Sequence, residues 1–147
     1  YMKIKSILLL ALVMVFGSCD ESIDVPLLNE AKVIDSMTSG TWKISQFTYQ
    51  NNLKTSDYNG IVFDFDAITV SLSNTGTTPV AGSWGVVDEG FDGDPVLVVN
   101  LALTSVEPRF TNISDDWYVI ESTATKLRLK DENLETGTID YLTFQKL

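Results

Sequence analysis

The chain has 147 residues, one domain by length, and its 44% hydrophobic content is that of a globular protein rather than a disordered one. It holds no histidine and a single cysteine, which excludes Ser–His–Asp catalysis, a Cys–His pair, His- or Cys-based zinc sites and any intrachain disulfide. The formal net charge of −10 repels phosphate backbones and anionic headgroups, so nucleic acid is not an expected partner.

Residues 1–18 read as a signal peptide. Lys3 and Lys5 form a positive start, and Ile7 to Phe16 is an unbroken apolar run, too short to span a bilayer as a helix. Gly17 and Ser18 follow, then Cys19. The run Val15-Phe16-Gly17-Ser18-Cys19 resembles the lipobox of bacterial lipoproteins, which implies cleavage before Cys19 and attachment of acyl chains, palmitate among them, to it. Two or more chains anchor a domain stably without a transmembrane helix. Residues 19–27 are acidic and contain Pro26, as a lipidated tether would. The implied address is the cell envelope, lipid-anchored and in the outer membrane, with the membrane itself as a partner. From Cys19 onward eight basic groups face twenty acidic ones, a net charge of −12.

Residues 28–147 form the expected domain. Leu28, Ala31, Ile34 and Met37 recur at helical spacing, Asn29 is placed to cap, and Gly40 to stop, one short helix. From Thr41 the pattern turns to β. Strands are predicted over 41–50, 60–66, 68–73, 80–87, 96–103, 117–121, 125–130 and 138–146. In 60–66, Ile61, Phe63 and Phe65 share one face and Asp64 and Asp66 the other. Residues 96–103 are nearly all apolar, as in a strand covered on both sides. Turn residues separate these runs: Asn51-Asn52, Asn74-Thr75-Gly76, the acidic stretch 88–95, residues 112–116, 131–133 and Gly137. No segment between strands suits a parallel crossover. About eight short strands predict an antiparallel all-β fold, and closure into a barrel removes the edges.

Gly40-Thr41-Trp42, opening the first strand after a short helix, resembles the G-x-W element of lipocalins. With Gly82-Ser83-Trp84-Gly85, Trp117-Tyr118-Val119-Ile120, Lys126-Leu127-Arg128-Leu129 and Tyr141-Leu142-Thr143-Phe144 following in order, the chain is similar to the lipocalin-like domains of Bacteroidetes lipoproteins. The resemblance implies a lipocalin-like antiparallel β-barrel of about eight strands with a short N-terminal helix. It also implies an interior suited to a small apolar or amphipathic ligand. Lipocalins set an Arg near the end of the last strand against the first Trp. Here that strand carries Lys146, and Arg128 on the preceding strand is the nearest arginine.

Trp42, Phe63, Phe65, Trp84, Trp117 and Tyr141 are the candidate ligand-contacting residues, with a packed core beneath the same rings as the bland alternative. The loop from Asp88 to Asp94 is rich in carboxylates but lacks the spacing of a calcium loop, and reads as a solvated turn. Asp64 and Asp66 share a strand face, as solvent-facing carboxylates commonly do. The sequon Asn112-Ile113-Ser114 is silent in a bacterial lipoprotein. No catalytic constellation, metal site or cofactor is expected. The reading is therefore non-enzymatic: a barrel that binds a small apolar or amphipathic molecule. The alternative is an interaction module docking an envelope protein or a glycan through its loops or outer surface, with Phe91 and Phe110 as the loop aromatics.

Overall fold

The computed structural model describes residues 29–147. The signal segment, Cys19, the tether and Leu28 lie outside them. Helix α1 (Glu30–Thr38) begins at Asn29, whose side chain accepts the backbone N–H of Lys32. It buries Val33 and Met37, four residues apart, with Ile34 partly covered and Ala31 exposed, so Met37 lies on the buried face as expected and Val33 takes the place expected of Ala31 and Ile34. Its end is marked by Ser39, whose N–H returns to the Ser36 carbonyl.

The rest is β. Strands β1 (Thr41–Tyr49), β2 (Asn52–Leu53), β3 (Val62–Phe65), β4 (Thr69–Ser73), β5 (Val80–Asp88), β6 (Leu97–Leu103), β7 (Asp116–Ser122), β8 (Lys126–Asn133) and β9 (Thr138–Lys146) form one antiparallel sheet. β9 returns to β1, pairing Trp42 with Lys146 and Thr48 with Tyr141 across a bulge between Ile44 and Gln46. Closure leaves an eight-stranded lipocalin-like barrel, β1 and β3 to β9, with β2 as a short flap on β1. Every expected strand is present. The flap β2, a 3₁₀ turn at Thr55–Tyr58 and a four-residue helix α2 (Pro108–Thr111) were not foreseen. Such pieces are too short to carry a period, and their backbone is set by what they close over.

Period-two alternation decides which residues face inward. Trp42, Phe47, Phe63, Phe65, Val70, Leu72, Trp84, Val86, Leu97, Val99, Leu101, Trp117, Leu127, Leu129, Leu142 and Phe144 form one buried cluster. Each end of the barrel has a cover. At the end where β1 starts, α1 contributes Val33 and Met37. At the other, the 3₁₀ turn, α2 and the segments after each contribute Tyr58, Ile61, Phe110 and Ile113. Two close backbone approaches need glycine. A Cβ on Gly82 would stand 2.1 Å from the Ala102 carbonyl oxygen across the β5–β6 ladder, and one on Gly90 equally close to that of Asp94.

Candidate functional site

Five of the six candidate rings, Trp42, Phe63, Phe65, Trp84 and Trp117, lie in the buried cluster, and four of them touch other aromatic rings there. Phe65 meets Trp84 edge-to-face at 5.0 Å, Phe144 meets Phe63 at 5.2 Å and Phe65 at 5.5 Å, and Phe47 meets Trp117 at 6.3 Å and Tyr58 at 5.5 Å between centroids. Such pairs add about 0.5–1.5 kcal/mol each beyond burial. The indole N–H groups are also engaged. Trp42 donates to the Met37 carbonyl at 2.9 Å, Trp117 to Ile113 at 3.0 Å and Trp84 to Asp66 at 2.6 Å. Each of these bonds ties a cap or a hairpin to the wall. The tryptophans thus act as latches whose polar tips point at closing elements. Tyr141 stands apart from this set, because it alternates with Leu142 and is half-buried on the outer face, opposite Lys130 and Thr48.

The G-x-W corner holds as a unit. Lys146, directly across from Trp42 in the ladder, places Nζ 5.4 Å from the Trp42 ring and donates to Ser39 Oγ at 2.6 Å. A Cβ at position 40 would lie 2.8 Å from Lys146 Cε, so Gly40 makes room for that stem. Arg128 is elsewhere: it faces outward and pairs with Glu121 at 3.0 Å, while Lys126 holds the other Glu121 oxygen at 3.2 Å. Hydrogen bonds from Arg128 and Lys126 hold the Glu121 carboxyl below the usual range. Inward-facing Leu127 and Leu129 bracket Arg128, so alternation alone sends it outward.

The other candidates separate. Asp64 and Asp66 are exposed, and Asp66 caps the N–H of Ala67. In the acidic loop, Asp88 Oδ1 accepts the N–H groups of Gly90 and Val96, which closes the turn. Phe91 at its tip is 83% exposed, whereas Phe110 is fully buried.

Two features had no clear sequence signal. At the end of the barrel carrying β2 lies a cleft of about 380 Å³ lined by Tyr49, Gln50, Asp115, Asp131, Asn133, Thr136, Thr138 and Asp140. Asp131 and Asp140 stand opposite each other in the β8–β9 ladder. Burial raises the Asp131 carboxyl above its usual range, and Asp115, Asp140 and Asp116 add to that. Asp140 is buried because it caps the Gln50-Asn51 turn, accepting the Gln50 N–H at 2.7 Å. Both turn residues have positive φ, as a two-residue hairpin turn requires.

The second feature is a groove of about 460 Å³ on the outer wall, lined by Pro95, Val96, Tyr118, Val119, Ile120, Lys130, Glu132 and Leu134. It adjoins a cross-strand row, Val87, Val98 and Tyr118. Val98 faces away from the core cluster and is nonetheless buried. Around it Val87, Val96, Tyr118, Ile120 and Leu134 all remain exposed. An alternation signal marks only the inner face of such strands, so this second apolar face was legible only as the continuous apolar character of 96–103. Comparison of the chain with protein-family models, with curated proteins and with solved structures gave no match.

Proposed function

We propose that the chain is a lipid-anchored, non-enzymatic protein of the cell envelope, related to the lipocalin-like lipoproteins, whose barrel serves as an interaction module presented at a membrane. The observation that carries the choice of module over interior carrier is the filling of the barrel. The inward rings contact one another, their N–H groups are used, and both ends are covered. An eight-stranded barrel is narrow enough to be filled by its own side chains. The outer wall, by contrast, offers exposed apolar side chains beside a groove. Clustered exposed apolar groups mark interaction sites more often than chance. The anchor rests on the lipobox-like run ending at Cys19.

A second reading keeps the ligand and moves it. The groove volume falls in the range of about 300–1,000 Å³ usual for small-molecule sites. A single amphipathic molecule would then lie on the outer wall rather than inside.

The test has two parts. Cys19→Ser should release the protein from the membrane fraction and abolish incorporation of labelled palmitate; continued membrane association would overturn the anchor. Native mass spectrometry of the wild-type chain should show the apo mass. A stoichiometric small molecule that is lost on Phe63→Ala and kept on Ile120→Arg would restore the interior carrier.

A further inference from the structure

The wall of the barrel is not sealed along its whole length. β5 and β6 pair as far as Asp88 with Leu97, and β7 and β8 as far as Ser122 with Leu127. Between these two hairpins, among the described residues, the β6–β7 ladder covers Asn100–Asp116, Val99–Trp117 and Val98–Tyr118 and then stops. Beyond it the start of β6 and the last residues of β7, to Ser122, share no ladder. The groove starts here, with Pro95 and Val96 on one bank and Tyr118, Val119 and Ile120 on β7, and extends over Lys130, Glu132 and Leu134 on the far side of β7. Tyr118 and Ile120, two residues apart on β7, share its outer face and are both exposed, and the bulge between Val119 and Glu121 marks where the regular β7–β8 register is interrupted. Val96 is satisfied by the Asp88 carboxylate and the Glu89 N–H, so the edge without a ladder is that of β7 facing β6 beyond Tyr118; an apolar groove beside one such edge suits an extended chain better than a helix or a globular surface.

Charge narrows the occupant further. The hairpin bearing Val96 carries Asp88, Glu89 and Asp94, and the one bearing Leu134 carries Glu132 and Glu135. Lys130 is the one cation among the lining residues. A second copy of this chain would bring acid to acid, and an anionic lipid surface would be repelled likewise. A segment with apolar side chains in the middle and Lys or Arg at its flanks meets no such penalty.

We infer that this groove seats an extended segment of a partner protein, apolar at alternate positions and flanked by basic residues, laid along the open edge of β7. The inference rests on reading the barrel as an interaction module and names the class of partner. Pro95 lacks a donor and the bulge shortens the open edge, so the apolar contacts, not a long ladder, must supply most of the affinity.

The test uses the full mature chain in nanodiscs of zwitterionic lipid and two fluorescein-labelled nine-residue peptides. Both alternate Val and Thr; one is flanked by Lys pairs, the other by Glu pairs. Anisotropy should show the Lys-flanked peptide binding at least about tenfold more tightly, with an advantage that shrinks as salt rises. Ile120→Arg should abolish binding while the circular dichroism spectrum is unchanged, and Glu132→Lys with Glu135→Lys should reduce the preference between the two peptides. Equal binding of both peptides, or binding untouched by Ile120→Arg, overturns the inference. So does self-association of the chain through the groove. A photo-crosslinker placed at Tyr118 separates the two levels of failure. If it captures a partner in cells although neither peptide binds, the partner class is wrong and the interaction module stands. If it captures nothing and neither peptide binds, both fall.

Discussion

Trp42 shows how a single residue joins sequence, packing and closure. Its ring is fully buried under α1, its N–H satisfies the Met37 carbonyl, and Lys146 lies over its face. Replacing the indole by a phenyl ring removes the donor and keeps an aromatic ring under α1, at the cost of some packed volume. Trp42→Phe should cost about 1–3 kcal/mol, the penalty for a buried carbonyl left unpaired. Urea unfolding checks the total, and faster amide exchange confined to α1 would show that the loss lies in the cap. Uniformly faster exchange would place it in the barrel instead. The G-x-W spacing marked this corner from the sequence. Which cation covers the ring was decided by register, since Lys146 is the residue opposite Trp42 and Arg128 is sent to the outer face.

At the scale of the strands, β7, β8 and β9 carry two carboxylates with opposite effects on stability. Asp131 faces Asp140 across the ladder and has its pKa raised, by burial first and by neighbouring acids second. Its ionisation therefore opposes folding. That cost is absent below the unfolded-state pKa, grows as pH rises, and is complete above the raised folded pKa. Asp131→Asn should stabilise the protein near pH 7 by roughly 0.2–1 kcal/mol, the scale for like charges directly opposite, and the gain should vanish in acid. Glu121 behaves in the reverse sense. Its pKa is lowered by hydrogen bonds from Arg128 and Lys126, so its contribution is present above the unfolded pKa and is lost as pH falls through the folded one. The pair sits at the surface, so Glu121→Gln should cost less than about 1 kcal/mol at neutral pH and less still at high salt. Urea midpoints measured for both variants from acid to neutral pH should move apart in opposite directions from wild type. Parallel curves would contradict the assignment. The strands bearing these groups were legible from alternation and turn residues, but their pairing was not. That Asp131 meets Asp140 follows from the hairpin register, which no single strand encodes.

For the whole molecule, the decisive property is that the inward-facing rings pack against one another. Phe63 is fully buried and touches Phe65 and Phe144. Phe63→Ala should therefore cost about 3–5 kcal/mol, transfer and cavity terms together. A side chain lining a pre-existing cavity would lose far less, so thermal unfolding of this one variant distinguishes a core from a pocket. A drop of under about 1 kcal/mol would reopen the carrier reading. Chain closure makes the same point. Joining β9 to β1 creates an inside, and three short caps then cover both of its ends. The apolar surface left open lies on the outer wall, where the ladder between β6 and β7 runs out, apart from the acidic cleft at the β2 end.

The sequence by itself determined the fold class, the eight wall strands, the capped helix from Asn29 and the inward face of the strand bearing Ile61, Phe63 and Phe65. These depend on local periods and on turn and cap residues, and such signals act over a few neighbours. It also identified the aromatic rings that matter, though not what they do. Only the tertiary structure decided that those rings face one another and that their N–H groups serve as latches. The same holds for Tyr141 lying on the outside and for the apolar groove opening on the wall. Each of these depends on residues dozens of positions apart meeting across the barrel. Contact of that kind is set by strand register and closure, which carry no local period.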